Sequence, residues 1–398
     1  METRLSETAQ QHPKAKEIES ILRSCVHCGF CNATCPTYQL LGDENEGPRG
    51  RIYLIKKFLE GQPITEKTVA HLDHCLHCAS CETTCPSGVK YTRLLDISRH
   101  MIEESYQRPI KERKQRKILA NTLSSPLKFS TLLSAGRLTK TFLPRSLTEK
   151  IPKKRTALNW PTTKHQRKML ILDGCAQSSI SPDINSDTAH VLDKMEISLY
   201  RIKKVSCCGA VKLHLSEEEA AIQQMRNNID LWWRFITDGV EAIITTASGC
   251  GITLKEYAYH LKDDTRYARK AVLISKLSKD IAEVINNETI PISSQPLKLA
   301  WHPPCTLQHA QGITGVVEGI LEKAGHQLVP VANSHLCCGS AGTYSILQPD
   351  IANQLRENKL EALTADSPDM IVTANIGCQT HLEQKSDIPI NHWIKTLL

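Results

Sequence analysis

Eight of the 16 cysteines lie in two runs of identical spacing near the N-terminus, CVHCGFCNATCP at residues 25–36 and CLHCASCETTCP at residues 75–86. Both runs have the pattern C-x2-C-x2-C-x3-C-P. Three thiolates on one tight loop can bind three corners of a cubic cluster, and the fourth follows a further turn, where proline interrupts local helix. The runs therefore predict two [4Fe–4S] clusters. The alternative is structural zinc, for which paired cysteines are enough.

The fourth cysteine of such a run binds the other cluster in two-cluster ferredoxins, so we assign the ligands crosswise between the runs. The first cluster is predicted to be bound by Cys25, Cys28, Cys31 and Cys85. The second cluster is predicted to be bound by Cys75, Cys78, Cys81 and Cys35. The segment between the runs, RGRIYLIKKFLEG at residues 49–61, is predicted to be a helix. Residues 1–105 are thus predicted to be a mostly helical ferredoxin domain.

Histidines accompany both runs at His27, His74 and His77. Because four cysteines already complete the ligand set of each cluster, we interpret these histidines as exposed loop residues. They would tune a cluster only through hydrogen bonds or charge.

The remaining eight cysteines form a second, duplicated pattern. Its members are Cys175, Cys207, Cys208 and Cys250 in one copy, and Cys305, Cys337, Cys338 and Cys378 in the other. The copies are offset by 130 residues, and the interval from the first cysteine to the Cys-Cys-Gly motif is 32 residues in both. Matching intervals at one offset indicate an internal repeat.

Predicted strands and helices alternate around these cysteines, which favours a parallel sheet in each copy. The predicted strands cover residues 168–175, 197–202 and 242–246, then 298–305, 326–331 and 370–374, and the predicted helices cover 217–237 and 350–363. Each cysteine follows the carboxyl end of a strand, where ligands of such sheets bind. We therefore expect four thiols to converge in each copy, where an iron–sulfur cluster, zinc, or buried thiols without metal all stay open.

The whole chain is predicted to be an α+β multidomain protein. A C-terminal duplicated α/β parallel-sheet Cys-Cys-Gly domain follows the helical ferredoxin domain, with repeats at residues 169–290 and 291–398. The connector, residues 106–168, has 17 lysine or arginine residues against two glutamates. Its net charge of +15 leaves −8 for the rest of a chain whose total is +7.

Within this connector, residues 125–143 are predicted to form a basic amphipathic helix. Its apolar stripe would comprise Phe129, Leu132, Leu133, Phe142 and Leu143. Such a helix can lie in a membrane interface, and the alternative is a helix packed on the protein or on a partner subunit. No nucleic-acid-binding motif accompanies the charge, so nucleic acid is excluded as a partner.

The polar N-terminus and the lack of a long apolar segment predict a cytoplasmic chain, where clustered cysteines are metal ligands rather than disulfides. The sequence has no G-x-G-x-x-G or G-x-x-x-x-G-K-[ST] motif. A flavin is therefore expected on a partner subunit rather than on this chain.

The chain resembles the iron–sulfur subunits of bacterial glycolate oxidase in strings such as ILRSCVHCGFCNATCPTYQLLGDE, GPRGRIYLIK, SHLCCGSAGTY and TANIGCQTHL. The resemblance implies electron transfer from an FAD-containing subunit that oxidises glycolate to glyoxylate toward a membrane quinone, on the cytoplasmic face of the inner membrane. The alternatives are a Cys-Cys-Gly reductase, or the corresponding subunit of a lactate or glycerol-3-phosphate dehydrogenase.

The repeats also resemble those of heterodisulfide reductase, with one departure. The C-x-x-C pair that ends the pattern there has Ala247 and Asn375 in place of its first cysteine here. The resemblance therefore does not imply a noncubane cluster in this chain. Nearby His302, His309 and His381 are interpreted as core residues, with quinone contact or proton relay as the alternative.

Overall fold

The computed structural model describes residues 1–142, 151–202 and 204–398. Helices make up its N-terminal part. They are α1 (Glu7–Gln11), α2 (Ala15–Ser24), α3 (Pro36–Leu41), α4 (Pro48–Leu59), α5 (Glu66–Asp73), α6 (Ser80–Thr84), α7 (Tyr91–Ser105), α8 (Ile110–Leu123) and α9 (Pro126–Leu138). Prolines begin α3 and α4, a position where the missing N–H costs no helical hydrogen bond. The helix predicted between the cysteine runs is confirmed as α4.

The core of this helical region comes from apolar residues at helical spacing. Ile18 and Leu22 of α2, Ile55 of α4, and Leu94 and Leu95 of α7 are fully buried in one cluster. Spacings of three and four residues place such side chains on one face of a helix. The cysteine loops are therefore held between packed helices rather than on a small sheet.

The first copy of the repeat contains a four-stranded parallel sheet in the order β2-β1-β3-β4. Its strands are β1 (Arg167–Ile171), β2 (Ile197–Arg201), β3 (Ala242–Thr245) and β4 (Ser278–Asp280). Its helices are α10 (Gln177–Ile180), α11 (Asp183–Lys194), α12 (Ala210–His214), α13 (Glu218–Thr237), α14 (Ser248–Lys255), α15 (Tyr257–His260), α16 (Ala268–Leu277) and α17 (Ile281–Ile285).

The second copy repeats this topology, with the order β6-β5-β7-β8 and parallel pairing throughout. Its strands are β5 (Lys298–His302), β6 (Gln327–Leu328), β7 (Met370–Thr373) and β8 (Ile390–His392). Its helices are α18 (Val316–Lys323), α19 (Tyr344–Leu347), α20 (Pro349–Thr364) and α21 (Ile376–Glu383), with a π-helical turn at Thr306–Ala310 and a 3-10 turn at Trp393–Leu397. The predicted α+β fold class and the duplicated parallel sheets are confirmed.

The two sheets share a core because alternate residues of each central strand face opposite sides. Met169 and Ile171 of β1 belong to the same buried cluster as Leu299 and Trp301 of β5. The intervening Leu170 lies on the other face of β1, in a cluster with the cysteines of the first copy. Cys175, Cys207 and Cys208 therefore lie on the side of the first sheet that faces away from the shared core, and Cys338 and Cys378 share a separate cluster with Ala300 of β5.

The connector packs on the protein along part of its length. In α9, Leu133 is buried whereas Leu132 is 61% exposed, so the predicted apolar stripe does not form one face. Leu143 and the side chain of Phe142 lie outside the described residues. In the described part of the chain, no helix combines the length and the apolarity that crossing a membrane requires.

Candidate iron–sulfur sites

Both cysteine runs form tight loops with the same backbone twist. In the first run His27 and Gly29 have φ of 60° and 87°, and in the second His77 and Ala79 have φ of 56° and 60°. Residues other than glycine rarely adopt this left-handed conformation, which costs roughly 1–2 kcal/mol per residue. The same conformation at equivalent positions of both loops curls each chain segment around one centre.

An open cavity of about 420 Å³ lies at the first loop. The sulfur-bearing residues that line it are Cys25, Cys28, Cys31 and Cys85, together with Cys81. Cys28 is exposed, whereas burial raises the pKa of Cys25 and raises that of Cys31 to about 11. The structure thus brings Cys85 of the second run to the first three cysteines of the first run.

A second cavity, of about 330 Å³, adjoins the first, since Cys81 lines both. Its cysteines are Cys35, Cys75, Cys78 and Cys81. Burial opposes ionisation of Cys75, but the Arg51 and Arg99 guanidinium groups outweigh it and lower the pKa of this thiol. Burial raises the pKa of Cys78 and of Cys81.

These two sets of thiols fit the clusters predicted from the sequence. Each cavity is lined by three cysteines of one run and the fourth cysteine of the other, with Cys81 shared between the two cavities, and all eight cysteines are free. Soft thiolates in fours are the usual ligands of [4Fe–4S] clusters. The donor set is therefore suitable, and a cluster bound there would supply one-electron redox chemistry.

A buried charge network that sequence reasoning missed supports the second cavity. Arg51 is 1% exposed, and its Nη2 donates to Glu46 Oε2 at 2.8 Å. Its Nη1 donates to Thr37 Oγ1 at 3.1 Å, and that hydroxyl lies 3.3 Å from Cys35 Sγ. Glu46 Oε1 also lies 2.9 Å from His74 Nδ1. Charge pairing within this network permits an arginine to be buried beside the thiols.

The loop histidines are more constrained than predicted. His74 pairs with Glu46, and His77 Nε2 lies 2.9 Å from Asp96 Oδ1. Although burial lowers it, the Asp96 carboxylate raises the pKa of His77 to about 9. The interpretation of His74 and His77 as exposed is therefore wrong, because the loops pack against α4, α5 and α7 instead of protruding into solvent.

The four cysteines of the first copy converge as predicted. Cys175 Sγ lies 3.3 Å from Cys207 Sγ, and Cys208 belongs to the same buried cluster, against which Cys250 packs. The contact between the first two thiols lowers the pKa of Cys207 and raises that of Cys175.

The cysteines of the second copy converge in the same way, and they lie beside the second cavity. Cys305 Sγ lies 3.9 Å from Cys337 Sγ, and Cys338 and Cys378 belong to one buried cluster. Cys337 belongs to an apolar cluster against which Cys78 of the second cavity also packs. Tyr344 of the same cluster donates a hydrogen bond to the carbonyl oxygen of His74 at 3.0 Å. The structure therefore places the second copy next to one of the two candidate cluster sites.

Two of the three histidines singled out in the repeats make structural hydrogen bonds. His309 Nε2 donates to the His335 carbonyl oxygen at 2.9 Å, and its Nδ1 lies 3.0 Å from Thr83 Oγ1. His381 Nε2 donates to the Ala352 carbonyl oxygen at 3.1 Å. These contacts agree with a packing role for both residues.

Two adjoining cysteine-lined cavities, followed by a duplicated cysteine-rich sheet domain, place the chain in the class of iron–sulfur proteins. Residues 21–89 match the family model of the 4Fe-4S dicluster domain. Residues 169–255 and 299–383 both match the model of the cysteine-rich domain. The two matches to one model confirm the internal repeat.

Curated relatives give the family. The chain is 50% identical to the glycolate oxidase iron-sulfur subunit of Escherichia coli (strain K12), over 99% of this chain and 98% of that protein. It is 29% identical to a probable glycolate oxidase iron-sulfur subunit of Bacillus subtilis (strain 168), over 93% and 90% of the two chains. The chain belongs to the family of glycolate oxidase iron–sulfur subunits.

A solved structure has a similar fold. A hypothetical protein from Helicobacter pylori matches with a TM-score of 0.58 and 11% identity, over 98% of this chain and 72% of that one. At this identity the match supports the fold alone.

Proposed function

We propose that this chain is the electron-transfer subunit of a complex that oxidises glycolate to glyoxylate. The observation that carries the proposal is the pair of adjoining cavities, each lined by a complete set of four thiols. The names of the relatives in Escherichia coli and Bacillus subtilis support glycolate as the substrate of the complex. Since the sequence lacks a nucleotide-binding glycine motif, FAD is assigned to a partner subunit.

In this proposal the ligands are crossed between the runs. One [4Fe–4S] cluster is bound by Cys25, Cys28, Cys31 and Cys85, and the other by Cys75, Cys78, Cys81 and Cys35. The lining of the two cavities supports this assignment. Such clusters accept and release single electrons, which suits a relay between a two-electron flavin and a quinone.

We assign docking of the flavin subunit to the face around the first cavity. Cys28 is exposed there, and its neighbours Val26 and Phe30 are 67% and 62% exposed. Large apolar side chains beside an exposed thiol are typical of a surface that a partner covers. Electrons would leave from the second cavity, which borders the second copy of the repeat.

We propose peripheral membrane contact, with a membrane quinone as the acceptor, through helices α8 and α9. Ile118, Leu127 and Leu138 on these helices are exposed, and each is adjacent in sequence to a basic residue. Basic segments are attracted to anionic lipid surfaces by roughly 1 kcal/mol per residue.

Paired cysteine variants test the crossed ligands. The double variant Cys35→Ser/Cys78→Ser should lose one cluster and keep about four irons per chain, because both changes fall in one set. The matched variant Cys35→Ser/Cys28→Ser changes one ligand in each set and should disturb both clusters. Iron, sulfide and EPR of the reduced proteins are the readouts. The opposite pattern would show that each run binds its own cluster.

Reconstitution tests the function. The anaerobically purified chain is mixed with the glycolate-oxidising flavoprotein of the same organism, and the EPR signals of the clusters are followed after glycolate is added. We expect reduction of both clusters, followed by reoxidation when a ubiquinone analogue is supplied. Clusters that stay oxidised with glycolate but are reduced with lactate would contradict the proposed substrate.

A further inference from the structure

His302 is a buried histidine without a hydrogen bond, and it lies among the cysteines of the second copy. It ends strand β5, two residues after Ala300, so both side chains lie on the same face of the sheet. Ala300 packs in a cluster with Cys338 and Cys378. His302 is 1% exposed, and neither ring nitrogen has a hydrogen-bond partner among the described residues. A buried imidazole without a partner is costly, so its place here requires an explanation.

Two neighbouring cysteines, Cys338 and Cys378, could instead bind a metal ion together with His302. A ring nitrogen of His302 and the sulfur atoms of Cys338 and Cys378 all lie within 4.8 Å of one another. Zinc binds sulfur at about 2.3 Å and nitrogen at about 2.0–2.1 Å in a tetrahedral shell, so two ligands of one ion lie roughly 3.5–3.8 Å apart. The three atoms are therefore close enough to share a single ion after a small adjustment.

Two nitrogen-bearing side chains near the sulfur atoms of the second copy, His302 and Asn375, have no counterpart in the first copy. The residue equivalent to His302 is Leu172, which is buried beside Cys175 and Cys208. The residue equivalent to Asn375 is Ala247. In the second copy Asn375 Nδ2 donates to Cys378 Sγ at 3.7 Å. These two positions thus carry polar nitrogen groups in the second copy and apolar side chains in the first.

A buried cation close to the same thiols would offset the negative charge of thiolate ligands. Lys359 is buried, and its Nζ donates to the Asn333 carbonyl oxygen at 2.7 Å. Burial lowers the pKa of Lys359, whereas the thiols of Cys338 and Cys337 act to raise it. When helices α13 and α20 are aligned by their buried residues, the corresponding position of the first copy is the uncharged Asn228. A cation is therefore present only in the copy that has the imidazole.

We propose that the second copy, and not the first, binds one divalent ion of the zinc class through His302, Cys338 and Cys378. Mixed imidazole and thiolate ligands favour zinc among the common divalent ions. The ion would join the end of strand β5, the Cys-Cys-Gly loop and helix α21, and so brace the side of this copy that faces the second cavity.

The proposal is tested on the full chain, purified anaerobically and then loaded with zinc. The measurements are its zinc content and its zinc X-ray absorption. We expect about one zinc per chain, with a shell of both nitrogen and sulfur ligands. His302→Leu introduces the residue of the first copy and should abolish zinc binding. His302→Cys should restore binding with sulfur ligands only, which separates loss of the ligand from loss of the fold.

The repeat itself provides the matched control. Cys338→Ser should lose the zinc, whereas the equivalent change in the first copy, Cys208→Ser, should leave it bound. Circular dichroism and the iron content report whether each variant is folded with its other clusters. Four results would each overturn the proposal. The first two are zinc that His302→Leu retains and a shell of sulfur alone in the unaltered chain. The others are equal zinc loss in Cys338→Ser and Cys208→Ser, and iron in place of zinc at these residues.

Discussion

Asp280 shows how much of this chain's response to pH can depend on one residue. It caps helix α17, and its Oδ1 accepts a hydrogen bond from the Ala282 N–H at 3.0 Å. Its Oδ2 is buried with no hydrogen-bond partner among the described residues. Burial raises the pKa of Asp280 to about 7. A carboxyl that prefers to be neutral when folded makes stability depend on pH near neutrality.

Asp280→Asn should therefore flatten the fall in stability between pH 5 and pH 8. The folded pKa lies above the unfolded value, so the stabilisation is complete below pH 4 and is lost as the pH rises through 7. Asparagine keeps the capping acceptor but cannot ionise, and the difference is on the order of a few kcal/mol. The urea unfolding midpoints of the variant and the unaltered chain at pH 5 and pH 8 measure this difference in stability. Asp238→Asn, at an exposed residue, is the control, and an unchanged slope in Asp280→Asn would contradict the prediction.

The glycines of the two Cys-Cys-Gly motifs have the same backbone twist but different surroundings. Gly209 has φ of 106° and Gly339 has φ of 90°. A Cβ at Gly339 would lie 2.5 Å from the Ala352 carbonyl oxygen, whereas one at Gly209 would lie 3.0 Å from Cε of the flexible Met225.

Gly339→Ala should destabilise the protein more than Gly209→Ala. Both changes incur roughly 1 kcal/mol or more of backbone strain, and Gly339→Ala adds a clash with backbone worth roughly 1–3 kcal/mol. Urea unfolding followed by tryptophan fluorescence measures the difference. Equal losses would show that helix α20 can move away from the loop.

At the scale of elements, helix α8 is attached to the helical domain by an ion-pair network rather than by an apolar face. Asp73 at the end of α5 accepts from Arg108 Nη1 at 2.6 Å and Nη2 at 3.1 Å. It also accepts from Arg116 Nη2 at 2.8 Å. Burial opposes ionisation, but Arg116 and Arg108 outweigh it and lower the pKa of Asp73. Part of the connector's positive charge is thus neutralised within the protein.

Asp73→Asn should detach α8. Removing one member of a largely buried ion pair costs roughly 3–5 kcal/mol, because the remaining charges lose their partner. Faster hydrogen exchange confined to the amides of α8 is the expected result. The exposed end of the network gives the control, since Glu112→Gln should change exchange far less. If the amides of α8 exchange at the same rate in the Asp73→Asn variant and in the unaltered chain, this account is contradicted.

The sequence predicts elements well where apolar runs are long and spacing is regular. Strands β1, β3, β5 and β7 follow from such runs, and α4 follows from its helical periodicity. Strands β4 and β8 were not predicted, because SKD and INH are three-residue polar segments that become strands only by pairing with β3 and β7. The Arg51–Glu46–His74 network and the neighbours of His302 could not be predicted either, because they too form only through tertiary packing. His74 lies 28 residues from Glu46, and Cys338 and Cys378 are still further from His302, so only the packed fold brings these groups together.

At the scale of the molecule, the helical domain contacts both copies of the repeat. Lys14 pairs with Glu218 at 3.0 Å, and Arg93 pairs with Glu256 at 2.9 Å, both in the first copy. In the second copy, His309 contacts Thr83 and Tyr344 contacts the His74 carbonyl oxygen, as described above. The surface left for other partners therefore includes the first cavity and the exposed faces of α8 and α9.

Charge removal on α8 should weaken membrane binding of the whole chain. Lys111, Lys114 and Lys117 are exposed, and the triple change to glutamine should lower affinity for phosphatidylglycerol vesicles by about 100-fold, since each basic residue contributes roughly 1 kcal/mol. The control changes the exposed Lys276, Lys323 and Lys385 in the repeats to glutamine. Vesicle sedimentation at low salt measures both. The same affinity for both triple variants would argue against contact through α8.

The core shared by the two sheets also affects how the chain is made. The buried cluster that contains Met169 and Ile171 of the first sheet includes helix α11 of the same copy, and it is completed by residues such as Leu299 and Trp301, which lie about 130 residues later in the sequence. As the chain leaves the ribosome, this apolar side therefore lacks part of its packing partners until the second copy has been synthesised. During that interval the nascent chain is exposed to aggregation, and chaperones that shield apolar surface are expected to engage it there.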